Sequence, residues 1–106
     1  MATGRLGAAD LSAATNTTIY TCPATVFAAA SISICNRGNS AIAVRVAIAD
    51  NDTPTDAEYI EFDAEILPKG VLERTGLILD ADKRIVVYSS AVNTSVVAFG
   101  IETSTA

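Results

Sequence analysis

Asp50, Asp52 and Asp56, with Glu58 just beyond them, form the one run of carboxylates spaced to take a cation. Clustered carboxylates in a loop suit Ca²⁺, which gathers six to eight oxygens around itself. The run departs from the EF-hand pattern, because Pro54 and Thr55 stand where Asp and Gly are expected. Asx turns ahead of a strand account for the same residues without a metal. Glu61, Asp63 and Glu65 form a second acidic row. Two carboxylates can run glycosidase chemistry, but three at alternate positions of one strand share an outward face and read as a solvated row. Histidine is absent, which removes the usual general base, the Ser-His-Asp and Cys-His arrangements and the commonest zinc ligand. No Gly-rich phosphate cradle occurs. No residue is assigned as catalytic, cofactor-binding or metal-ligating, and the expectation is a protein that is not an enzyme and carries no cofactor.

Cys22 and Cys35 lack a paired ligand set for a structural metal. If Thr18–Cys22 and Val26–Cys35 pair as a hairpin, about 3.3 Å per residue of strand puts the two sulfurs far beyond bridging range. Both are expected as free, buried thiols acting as small hydrophobes. Asn16-Thr17-Thr18, Asn51-Asp52-Thr53 and Asn93-Thr94-Ser95 match the glycosylation acceptor pattern and read as turn and strand residues. Tyr59 and Tyr88 are of a type favoured at contacts, with partial core packing the preferred reading.

The elements that must position these groups are strands. Val26, Ala28, Ala30, Ile32 and Ile34 alternate with Phe27, Ala29, Ser31, Ser33 and Cys35. Ile42, Val44, Val46 and Ile48 alternate with Ala43, Arg45, Ala47 and Ala49. Successive side chains of a strand point to opposite faces, so each run buries one row and leaves a row of mostly small residues outward. Asn36 to Ser40 join them as a polar loop that tolerates φ > 0, which predicts a central hairpin. Thr17–Cys22 is a β-branched first strand, ended by Pro23. Glu58–Leu67 places Ile60, Phe62, Ala64 and Ile66 inward. Val71–Leu79, a nearly continuous apolar run at Arg84–Ser89, and Ser95–Glu102 complete the set. About seven short strands with regular turn signals and no helical pattern predict an all-β antiparallel sandwich, jelly-roll-like or a small barrel. Residues 1–16 are small and weakly periodic and read as a flexible arm able to order against a neighbour. An eighth strand from that arm is the alternative. Residues 17–102 make the one domain, and 103–106 a disordered tail.

The 106 residues fit one domain, half of them hydrophobic but mostly Ala, Val and Ile, with no Trp. An outward face of Ala, Ser and Thr is thin cover for a sheet and suits contact with another subunit. The net charge is −5, with seven Lys plus Arg scattered singly. Nucleic-acid binders cluster their basic residues, so no nucleic-acid partner is expected. No apolar run approaches the roughly 20 residues that span a bilayer, no lipidation motif occurs, and the N-terminus lacks a signal-peptide pattern. No membrane partner is expected, and synthesis and assembly are placed in a cytoplasm.

Three segments carry a likeness: Leu11 to Ala24, Ile34 to Ile48, and Gly70 to Leu79. Through them the chain resembles small virion structural proteins of tailed bacteriophages, a loose group of head-decoration and tail or fibre-knob β-domains. The likeness spans most of residues 11–102 and carries no functional residue over. It implies a multi-copy, non-enzymatic virion component, often trimeric, assembled in the host cytoplasm. The leading expectation is a decoration or cement protein that binds itself and the major capsid protein, with residues 1–16 reaching a neighbour. The alternative is a tail-tip or fibre-knob adhesin that binds the host surface.

Overall fold

A computed structural model describes residues 2–105. Eight strands run in chain order: β1 (Thr3–Leu11), β2 (Thr15–Thr21), β3 (Val26–Asn36), β4 (Ile42–Ala49), β5 (Tyr59–Ile66), β6 (Val71–Leu79), β7 (Arg84–Ser89) and β8 (Thr94–Ser104). A single 3₁₀ turn, Asp56–Glu58, precedes β5. The strands form two four-stranded antiparallel sheets, ordered β1-β8-β3-β6 (sheet A) and β2-β7-β4-β5 (sheet B). This is the strand order of a jelly roll, an open sandwich rather than a closed barrel.

The alternation in β3 sets its buried row. Val26, Ala28, Ala30, Ile32 and Ile34 are buried, and Asn36 ends the row inside. Across the sandwich they meet Ile42, Val44 and Val46 of β4, Ile85 and Val87 of β7, and Ile66 of β5. Leu77 and Leu79 of β6 with Val96 and Ala98 of β8 complete the core from sheet A. In β7 the intervening Val86 is buried as well, so that strand is covered on both faces, as its unbroken apolar run predicts.

The central hairpin does not form. β3 and β4 lie in different sheets, and residues 37–41 arch between the layers. None of Asn36 to Ser40 takes a positive φ; the Asn36 side chain holds the arch instead. An alternating strand declares which face is buried but not which strand lies beside it. Five residues can span the roughly 10 Å between stacked sheets as readily as they reverse a hairpin. Only β4 and β5 are consecutive strands paired in one sheet.

The N-terminal arm is also corrected. Residues 3–11 form β1, paired with β8 from Thr3↔Ile101 to Leu11↔Thr94. Leu11 is buried, and Leu6 and Ala9 pack on the core. Thr15 and Asn16, assigned to the same arm, open β2. The tail is ordered as far as it is described. Thr103 and Ser104 belong to β8, and Thr105 donates its backbone N–H to the Thr25 carbonyl at 3.0 Å. Backbone pairing, which side-chain periodicity does not report, orders both ends; Ala106 lies outside the described residues.

Register shifts are confined to one class of strand. One residue is extra on β1 between Arg5 and Gly7, on β2 between Thr18 and Tyr20, and on β6 between its partners of Ala30 and Ile32. β5 gains residues opposite Val44–Val46 and Val46–Ala47. These four are the edge strands. The inner pairs β3–β8 and β4–β7 run without interruption. A bulge bends an edge and spoils its template for another chain's backbone.

Candidate functional site

The carboxylates of residues 50–58 are dispersed into separate ties. Asp52 Oδ1 accepts from the Thr18 hydroxyl at 2.5 Å and from Arg84 Nη1 at 2.7 Å. Asp50 faces Lys83 Nζ at 3.4 Å, and that ammonium also reaches Asp80 at 3.5 Å. Glu58 turns back on the loop, accepting the backbone N–H of Thr55 at 2.8 Å and of Asp50 at 3.0 Å. Asp56 lies in the 3₁₀ turn. Among the described residues no three Asp, Glu or Cys side chains converge as a metal site would require.

The acidic row of β5 is broken by the bulge. Asp63 takes φ 54°, and Phe62, expected inside, is 58% exposed. An extra residue turns every side chain beyond it to the other face. Glu61 consequently pairs opposite the inward-facing Val46 and bonds Arg74 of β6 at 2.7 Å, closing that flank of the sandwich. Asp63 holds the Arg45 Nε at 2.7 Å. The Arg45 guanidinium lies 4.2 Å from the Phe62 ring centre and 4.5 Å from that of Tyr88. Tyr59 meets Phe62 edge-on at 5.1 Å. Tyr59 and Tyr88 thus sit half-buried in an aromatic and cationic cluster on the outer face of sheet B. Sequence reasoning missed this cluster; its one signal was Arg45 standing among the outward alanines of β4.

The two thiols are free. Cys22 is buried with its Sγ 3.4 Å from the Val26 carbonyl and 3.6 Å from that of Leu79, and burial pushes its pKa up. Cys35, expected buried too, is half-buried on the outward side of β3. A depression of about 180 Å³ lies at the loop end, lined by Asn36, Gly38, Ser40, Ala91 and Asn93 among others. Its deepest polar group, Asn36, is already fully hydrogen-bonded to the surrounding backbone.

Across the other flank, the Tyr20 hydroxyl of β2 donates to Glu102 Oε2 of β8 at 2.5 Å. Glu102 Oε1 accepts the Ala2 backbone N–H at 2.8 Å. That N–H first, then the Tyr20 hydroxyl, holds Glu102 below its ordinary 4.5. The Thr18 hydroxyl and Arg84 lower Asp52 from 3.8. The Thr55 and Asp50 N–H groups lower Glu58 from 4.5. Burial, then the bond to Glu102, raises the Tyr20 phenol. A carboxylate lowered by folding contributes stability that is present above its unfolded pKa and lost as pH falls through the folded one. A raised thiol or phenol contributes below its unfolded pKa and loses that contribution as pH rises towards the folded one. The thermal midpoint should therefore be level between about pH 6 and 8.5, falling below about 4.5 and above about 9. Glu102→Gln should flatten the acid limb in melts recorded across that range; an unchanged limb would remove Glu102 from the account.

No protein-family model, no curated protein and no solved structure matches this chain.

Proposed function

We propose that this protein is a non-enzymatic structural subunit of a bacteriophage particle, a decoration or cement protein that stabilises the shell by bridging coat subunits. The observation that carries the reading is the outer face of sheet A, where Phe27, Ile78, Phe99 and Ile101 stand 40–63% exposed on a two-layer body. A contiguous apolar face of this kind marks a contact surface. Bulged edges direct association to faces, which suits a unit repeated many times on a lattice. The jelly roll is a scaffold that recurs in viral capsids, an analogy of fold that adds modest weight. In the loop of residues 50–58, Asp50, Asp52 and Glu58 are committed to ion pairs and backbone caps, and the sequence has no histidine to serve as a base. Such a subunit would add stability by mass action, binding the assembled shell and not its separated parts. It would act as a homo-oligomer on the major capsid protein of particles assembled in the host cytoplasm; the group it resembles is often trimeric.

The alternative is a tail-tip or fibre-knob adhesin, for which the exposed Phe62 is the favouring observation. Arg45 already covers the Phe62 and Tyr88 rings, which takes from a sugar the faces on which it would stack. Labelling the protein on purified particles separates the two. Copies on the order of hundreds, spread over the head, are expected of a symmetric shell component. A handful at the tail would overturn decoration in favour of the adhesin.

A further inference from the structure

We propose that two copies of this chain pair through the outer faces of sheet A, about a two-fold axis that runs along the strands between β3 and β8. The inference rests on the building-block reading above and names the first partner of that face. Cross-strand register fixes the layout. Outward rows across β1, β8, β3 and β6 read Ala8–Val97–Ser33–Glu73, then Arg5–Phe99–Ser31, then Thr3–Ile101–Ala29–Ile78, with Thr103–Phe27 below.

Large and small residues are divided between the two central strands. β8 presents Val97, Phe99 and Ile101 where β3 presents Ser33, Ser31 and Ala29, and the order inverts in the last row, with Thr103 beside Phe27. A two-fold along the strands exchanges β8 with β3 and β1 with β6. Phe99 then lies over the partner's Ser31, Ile101 over the partner's Ala29, Phe27 over the partner's Thr103, and Ile78 over the partner's Thr3. Facing layers pack when large positions meet small ones, and an isologous contact requires that complementarity within a single face. A two-fold across the strands would instead lay β8 on β8 and β3 on β3, with bulk against bulk and gaps beside it.

The charges agree with the same axis. Arg5 and Glu73 have no ion-pair or hydrogen-bond partner among the described residues, and they flank the apolar rows on opposite edges of the sheet. The exchange of β1 with β6 lays Glu73 over the partner's Ala8, one row or about 7 Å along the strands from the partner's Arg5 and within reach of that long side chain, twice per pair. Four strands about 4.8 Å apart and ten residues long give a footprint of roughly 600 Å² per copy, or about 1,200 Å² in all, which reaches the range of stable interfaces. The bulges on β1 and β6 argue against edge-to-edge pairing as the route.

The 106-residue chain should sediment as a dimer of twice its 10.9 kDa. Ile101→Asp should leave a folded monomer, since that side chain is already half in solvent. Arg5→Glu and Glu73→Arg should each weaken dimerisation about tenfold, two rim pairs being lost and replaced by like charges. The double variant should restore it. Circular dichroism on each variant confirms that the fold is intact. A monomer or a trimer at all concentrations overturns the pairing, as does a dimer indifferent to both charge reversals. A monomer that still decorates particles would overturn this pairing and leave the proposed function standing; a charge-sensitive dimer that never binds particles would do the reverse.

Discussion

Gly100→Ala should cost about 4 kcal/mol, a large part of the roughly 5–15 kcal/mol that holds a small domain folded. Gly100 lies on β8 between Gly4 of β1 and Ala30 of β3, with φ +153°. A Cβ there would stand 2.1 Å from the Ala29 carbonyl oxygen and 2.9 Å from the Ala30 Cα. Both are backbone atoms in the unbroken β3–β8 ladder, so no flexible side chain can yield. Relief requires β8 to part from β3, which opens the core above Ile32, Val96 and Ala98. Gly76→Ala is the control. Its φ is +72°, but an added Cβ meets nothing within 4 Å, so only the left-handed strain of about 1–2 kcal/mol applies. Urea unfolding of both variants should show the Gly100 loss at least twice the Gly76 loss. Equal losses would mean that β3 and β8 are not pressed together as described.

The fold class was legible because the core-facing rows are written in β3, in Ile42–Val46 and in the apolar run of β7. Burial follows side-chain type, and alternation carries it with a period of two. What was not legible depends on backbone geometry. The hairpin reading failed at Asn36, where a polar residue that suits a turn instead faces inward to hold an arch. The arm reading failed at Gly4 and Gly7. Glycine looked like flexibility, but at Gly7 the missing Cβ admits the Ile19 carbonyl, which would lie 2.2 Å from it. Phe62 was misplaced because the φ 54° of Asp63 lies in no propensity scale for a strand. The patch on sheet A was half legible: Phe27, Ala29, Ser31 and Ser33 were placed outward together, but Phe99, Ile101 and Ile78 join them only once β8 and β6 are known to flank β3. The apolar face of one strand becomes a surface only when its neighbours are named.

Asn36→Leu should cost about 3 kcal/mol, because it removes the group that ties three segments together while keeping the same branched skeleton of four heavy atoms. Asn36 is fully buried. Its two Nδ2 hydrogens are shared among the carbonyls of Ser40 at 2.8 Å, Ile66 at 3.1 Å and Leu67 at 3.2 Å, and its Oδ1 accepts the Gly38 N–H at 3.0 Å. Leucine would leave those carbonyls facing hydrocarbon, and an unsatisfied buried acceptor costs more than the bond that satisfied it contributed. Asn36→Asp sharpens the test. It has the same shape but turns a carboxylate oxygen on three carbonyl oxygens, so folding favours the protonated acid and raises its pKa. The penalty relative to wild type should be small near pH 4 and grow as pH rises through the range where the unfolded chain ionises first. That trend opposes the one set by Glu102, so difference melts at pH 4 and pH 7 distinguish the two groups. If the Asp variant matched wild type at pH 7, the arch between β3 and β4 would have to be held by something other than this side chain.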